Sequence, residues 1–102
     1  MHEGLSRPPV VLAFTRWYLP GYQAGGPIRT LSNMVDRLGQ EVDFRIVTQD
    51  RDINDQVAYP GIDATGWNRL GHSRVRYLSR QQISLRALAR IIREVAPDVL
   101  YL

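Results

Sequence analysis

A Gly-Gly-Pro-Ile-Arg run at residues 25–29 stands between an apolar strand and an amphipathic helix, and no other segment constrains the fold as much. Upstream, residues 9–15 carry the continuous apolar run Val10-Val11-Leu12-Ala13-Phe14, which predicts a buried strand. Downstream, Ile28, Leu31, Met34, Val35 and Leu38 recur at helical spacing, and Gly39 stands where a helix-ending glycine belongs. Pro27 suits the first helical position, because the N–H it lacks has no intrahelical partner there. Gly26 then becomes the N-cap, a place usually held by Ser, Thr, Asp or Asn. Without a capping oxygen, the N–H groups of Ile28 and Arg29 stay free at the positive end of the helix dipole. Such a point is a ready site for an anion, phosphate above all. Arg29 adds a guanidinium in the same turn. The same residues also suit a tight loop that needs two glycines and a rigid entry into the helix.

The rest of the chain extends this opening into an α/β pattern. Residues 42–48 alternate Val42, Phe44 and Ile46 with Asp43 and Arg45, which predicts a second strand. Strand, helix and strand at this spacing imply a parallel sheet with a right-handed crossover. Residues 49–73 show no clear period and read as a long loop, ordered by Tyr59, Pro60 and Trp67. A short third strand is expected at residues 75–78 and a helix at residues 85–95, with Ser84 as its cap and Pro97 beyond its end. Residues 99–102 begin a fourth strand. A parallel sheet needs helices on both faces, and a final apolar strand needs cover. The expectation is therefore the front part of a longer architecture, with residues 1–8 as a disordered tail and 9–102 as one partial domain.

Composition narrows the function classes. The 102 residues contain no cysteine, which removes disulfides and Cys-ligated metal sites. All 13 basic residues are arginine and the net charge is +3. They are scattered, with no dense basic run of the kind nucleic-acid arms carry, so no nucleic-acid partner is expected. A weak positive field still favours phosphate-bearing ligands or an anionic membrane surface. No signal peptide or membrane span is recognisable, and a cytoplasmic location is expected, with peripheral contact at the inner membrane as an option. A nicotinamide-dependent enzyme would need Gly-x-Gly-x-x-Gly, but the glycines stand at 21, 25 and 26. A P-loop needs a lysine that the chain lacks. His2 and His72 are far apart and offer no paired metal motif, so no metal or other cofactor is expected.

With these residues in view, the chain resembles the N-terminal end of GT-B-fold glycosyltransferases of family 4. The resemblance rests on residues 14–30 (Phe-Thr-Arg-Trp-Tyr-Leu-Pro-Gly-Tyr-Gln-Ala-Gly-Gly-Pro-Ile-Arg-Thr) and on 46–52 (Ile-Val-Thr-Gln-Asp-Arg-Asp). It continues in Tyr59-Pro60-Gly61-Ile62, Trp67-Asn68 and residues 97–102 (Pro-Asp-Val-Leu-Tyr-Leu). It implies a Rossmann-like parallel sheet with flanking helices, the first part of a GT-B N-terminal domain. It also implies an enzyme that moves sugar from a nucleotide-diphosphate sugar to a glycan or lipid-linked hydroxyl, with retention and commonly without metal. In such enzymes the N-terminal domain holds the acceptor, and a glycine loop reaches the donor diphosphate. By that resemblance Gly25, Gly26, Ile28 and Arg29 face the donor phosphates. Trp17, Tyr18 and Tyr22 form an aromatic wall for a sugar ring. Asp50, Arg51 and Asp52, just past the second strand, meet acceptor hydroxyls; the other reading is a loop salt bridge from Arg51 to its neighbours. Trp67 is a packing anchor or a ligand contact.

The chain departs from the family where chemistry is concentrated. The C-terminal domain with its Glu-x7-Glu segment is absent, and neither His2 nor His72 matches the histidine many relatives place near the reacting sugar. No catalytic residue is assigned. A donor-binding domain in cis or in trans is the implied partner, for exopolysaccharide or other cell-surface glycan synthesis. Two readings follow: the acceptor-side part of a retaining glycosyltransferase, inactive alone, or a non-catalytic remnant or split half that binds acceptor or partner.

Overall fold

The computed structural model describes residues 7–23 and 25–102, so part of the expected tail, residues 1–6, lies outside the described residues, as does Ala24. Five strands, β1 (Val10–Phe14), β2 (Asp43–Gln49), β3 (Trp67–Leu70), β4 (Ser73–Leu78) and β5 (Val99–Tyr101), form one sheet in the order β3-β4-β2-β1-β5. β1 pairs in parallel with β2 and β5, and β2 with β4; only β3 runs antiparallel, against β4. The two α-helices among the described residues are α1 (Gly26–Leu38) and α2 (Leu85–Val95). The protein is a small α/β domain with a mostly parallel, mixed sheet.

Alternation along the strands assigns the two faces. Ala13, Phe44, Ile46, Val75 and Tyr77 point to one side, where Ile28, Leu31 and Val35 of α1 close over them. Each Val, Leu, Ile or Phe side chain among them, fully buried, stabilises the fold by about 1.5–3 kcal/mol. Leu12, Val47 and Leu78 point to the other side and meet Ile91 of α2, with Leu88, Ile92 and Val95 only half-buried around them. The apolar stripe at 28, 31 and 35 is therefore core, as its spacing predicts. The crossover through α1 leaves β1 toward β2, whereas α2 leads back to β5 on β1's other side. β1 is thus the strand at which the chain reverses its direction across the sheet.

Several sequence expectations change in detail. The segment read as one loop over residues 49–73 contains β3, joined to β4 by a tight turn at Gly71 and His72. Gly71 takes φ +60, the left-handed conformation that a two-residue hairpin asks of glycine. The helix-start expectation shifts by one residue: Gly25, at φ 69 and ψ −111, is the N-cap of α1, and Gly26 is already helical. Gly39 is not left-handed; it takes φ −66, and its N–H donates to the Val35 carbonyl at 2.7 Å. It is glycine for another reason, since a Cβ there would collide with His72 and the Val35 carbonyl. At the end of α2 the left-handed residue is Ala96, at φ 48, followed by Pro97. Asp98 then ties the start of β1, accepting the Val10 N–H at 2.7 Å and donating its own N–H to the Val10 carbonyl at 2.8 Å.

Candidate functional site

The carboxyl ends of β1, β2 and β4 form a rim, the edge where open α/β sheets take ligands at a point of chain reversal. The loop after β1 is sewn onto β2 there. The Thr15 N–H donates to the Val47 carbonyl at 3.0 Å, and the Gln49 N–H to the Arg16 carbonyl at 3.3 Å. Thr48 Oγ1 donates to the same Arg16 carbonyl at 3.1 Å. These bonds leave the Arg16 side chain exposed, its guanidinium 5.2 Å from the centre of the Trp17 ring.

A cleft of about 710 Å³ opens on the α2 side of this rim. Phe14, Val47, Leu78 and Leu88 give it an apolar floor; Thr15, Arg16, Trp17 and Gln49 stand on one wall and Arg80 with Ile83 on another. Arg80 also borders a second hollow of about 450 Å³, shared with Arg51, Asp55, Gln56, Ser79 and Gln81. Arg16 and Arg80 are residues that sequence reading missed. Their signal was available: each lies within a few residues of the carboxyl end of a parallel strand.

The rest of the β1–α1 loop is held by the loop after β2. Tyr18 and Gly21 close a turn through the Gly21 N–H and the Tyr18 carbonyl at 3.0 Å, with the Leu19–Pro20 bond cis. The Tyr77 hydroxyl donates to the Leu19 carbonyl at 2.7 Å, and Tyr59 meets Tyr77 edge to face at 5.7 Å. Burial pushes the Tyr18, Tyr59 and Tyr77 hydroxyls up to about 12, so they stay protonated donors across the physiological range. Gly21 has no room for a Cβ, which would strike the Tyr59 hydroxyl and the Asp52 carboxyl.

Asp52 fastens the same loop electrostatically. Its carboxylate accepts the N–H of Tyr22 at 3.0 Å, of Gln23 at 3.3 Å and of Ile53 at 2.8 Å. Burial raises the carboxyl's pKa, but the N–H groups of Tyr22, Ile53 and Gln23 outweigh it and hold the group below the usual aspartate value.

The expected site residues divide. Tyr18 is 1% exposed and belongs to the core, Tyr22 is 77% exposed, and Trp17 lines the rim cleft, so the three do not make one aromatic wall. Tyr18 sits inside because its ring fills the space under α1 beside Ile28, Leu31 and Val35. Asp50 and Arg51 form a local pair, Nε to Oδ1 at 2.8 Å, while Arg51 also donates to the Gln56 carbonyl at 2.7 Å. That is the loop salt bridge weighed as the other reading. Asp52 is buried and engaged by backbone. Trp67 packs against the cluster of Leu12, Val47, Leu78 and Ile91, with the Arg45 guanidinium 5.3 Å from its ring centre, and Asn68 braces its own loop, accepting the Asp63 N–H at 2.7 Å.

The glycine segment keeps its open geometry. Among the described residues no side chain caps α1, and no acidic residue lies in its first turn. A Cβ on Gly25 or Gly26 would find nothing within 4 Å among the described residues. Arg29 is exposed. The expectation that its N–H is free is corrected: it donates to the Gly25 carbonyl at 3.1 Å, the first bond of the helix. Gly25, Gly26, Ile28 and Arg29 do not line the rim cleft, which opens on the other face of the sheet. Among the described residues no cluster of metal-ligating side chains occurs, and no helix is long and apolar enough to cross a membrane. Compared with protein-family models, with curated proteins and with solved structures, the chain finds no match in any of the three.

Proposed function

We propose that the chain is the acceptor-side, Rossmann-like domain of a retaining glycosyltransferase of the GT-B type. In this reading a second domain, in cis or in trans, binds the nucleotide-diphosphate sugar and closes the opposite wall of a cleft. The observation that carries the reading is the open start of α1. Gly25 needs glycine for its positive φ, but Gly26 has no positive φ and, among the described residues, no close neighbour to require it. A residue without a side chain at an uncapped helix start lets another molecule approach the backbone. A diphosphate leaving group is the anion that this reading puts there, with fixed amide dipoles and Arg29 stabilising its developing charge. The rim cleft, with Trp17, Arg16, Gln49 and Arg80 around an apolar floor, is then the acceptor's place. Aromatic faces suit sugar rings, and the arginines suit an acceptor that carries charge.

A second reading has its own support. β5 is an edge strand whose Val99, Leu100 and Tyr101 are 44–52% exposed. Unpaired edges with apolar side chains call for a neighbour, which suits a half that binds a partner chain. The two readings separate on reconstitution. The gene region is searched for an α/β domain with Glu-x7-Glu, in phase or encoded nearby, and the two parts are purified together. Transfer of labelled sugar to a hydroxyl acceptor by the pair is the expected result. A stable pair that transfers nothing from any nucleotide sugar contradicts the first reading and favours the second.

A further inference from the structure

The amino end of the parallel strands carries a row of arginines outside the rim cleft, of which Arg45 alone is engaged among the described residues, by Asp43 and the Trp67 ring. Register sets Arg45 of β2 opposite Arg74 of β4, and Arg74 opposite Arg69 of β3. Residues directly opposite each other share a face, so three arginine side chains leave the same face of three adjacent strands. Like charges in such positions destabilise a sheet. A cavity of about 340 Å³ lies against Arg7, Arg45, Arg69, His72 and Arg74, and Asp43 is the one carboxylate among its described lining residues. Arg45 takes that carboxylate at 3.1 Å; Arg69 and Arg74 are exposed and have no ion pair among the described residues. Helix dipoles do not account for the charge, because Arg37 and Arg93 already occupy the last turns of α1 and α2. Further along the same face, Arg76 keeps a buried Nε without a hydrogen-bond partner among the described residues, with Glu94 3.7 Å from its Nη1.

We propose that the Arg45–Arg74–Arg69 row and the cavity before it form a binding site for an oxyanion of the phosphate or diphosphate class. Planar guanidiniums match phosphate oxygens two at a time, and a bound anion turns the mutual repulsion of the row into attraction. The site lies at the amino ends of the parallel strands β2 and β4 and the carboxyl end of β3, away from the glycine segment, and does not rest on the proposed glycosyltransferase reading. The phosphate can be free or carried on a lipid headgroup; the chemistry of recognition is shared.

The test uses the full 102-residue chain at low ionic strength. Inorganic pyrophosphate is titrated calorimetrically, and flotation is measured with phosphatidylglycerol and with phosphatidylcholine vesicles. Saturable binding of pyrophosphate identifies a free phosphate ligand; flotation with phosphatidylglycerol vesicles alone identifies a headgroup. In either case the double variant Arg69→Gln/Arg74→Gln is expected to weaken binding about tenfold or more. The same variant is expected to keep or raise the melting temperature, since it removes opposed charges. Arg86→Gln, at an exposed position on α2 outside the row, is expected to leave this binding unchanged. Failure of both probes to bind, or binding that survives the double variant, overturns the proposal. Binding lost only in Arg29→Gln also overturns it, and moves the anion to the start of α1.

Discussion

The Asp52 carboxylate accepts the backbone N–H of Tyr22 at 3.0 Å across 30 residues of sequence, and so the loop after β2 fixes the loop that leads into α1. With Gln23 and Ile53 on the same carboxylate, one side chain sets the approach to the glycine segment. Replacing Asp52 with Ala removes three part-buried hydrogen bonds to one charged acceptor, and a hydrogen bond to a charged group contributes about 1.5–3 kcal/mol. The expected result of Asp52→Ala is a loss of about 2 kcal/mol or more in urea unfolding, with the amides of Tyr22 and Gln23 losing protection first.

The same bond network gives a pH dependence of known sign. The folded carboxyl of Asp52 titrates below its unfolded counterpart, because backbone N–H groups outweigh burial. Its stabilisation is therefore complete above the unfolded aspartate value, about 3.9, and fades as the pH falls through the lower folded one. Urea midpoints measured down this acid range are expected to fall in the natural chain, and to fall less in Asp52→Asn, which has no carboxyl to titrate there. Equal acid sensitivity in the two would remove Asp52 from this role.

Gly21 and Gly26 are expected to respond in opposite ways to alanine. At Gly21 the added Cβ meets Tyr59 and Asp52, so Gly21→Ala is expected to cost about 1–3 kcal/mol. At Gly26 the space is open and the residue is already helical, so Gly26→Ala is expected to stabilise by about 0.5–1 kcal/mol. Thermal denaturation of the two variants side by side checks both signs. If the glycine segment serves a ligand, the more stable Gly26→Ala protein binds that ligand less well.

Ala96 holds a left-handed conformation that disfavours any side chain. Ala96→Gly is expected to raise stability by about 0.5–1 kcal/mol, read as a higher urea midpoint at unchanged slope. On β4, Tyr77→Phe removes the donor to the Leu19 carbonyl and is expected to cost about 1 kcal/mol.

What could be read in the sequence followed local periodicity. Val10–Phe14, the stripe of Ile28, Leu31 and Val35, and the helix Leu85–Val95 behind Ser84 all announce themselves through apolar spacing and caps. β3 does not: Trp67–Leu70 is four residues long at a sheet edge, too short for alternation to emerge from noise. Long-range partners were also hidden. Nothing near Asp52 in sequence shows that its carboxylate belongs to Tyr22 and Gln23, nor that Tyr18 fills the core while Tyr22 faces outward. The arginine row is invisible for the same reason, since Arg45, Arg69 and Arg74 become neighbours only through register.

The most direct measurement on the proposed function is a titration of the isotope-labelled Arg69→Gln/Arg74→Gln chain, in which the arginine row no longer competes for a diphosphate, with uridine diphosphate, followed by amide shifts in a nitrogen–proton correlation spectrum. The expected result is weak binding, in the millimolar range, with the largest shifts at Gly25, Gly26, Ile28 and Arg29. Micromolar affinity, or shifts confined to other parts of the sheet while these four amides stay still, would contradict an acceptor-side domain whose open helix start meets a donor diphosphate.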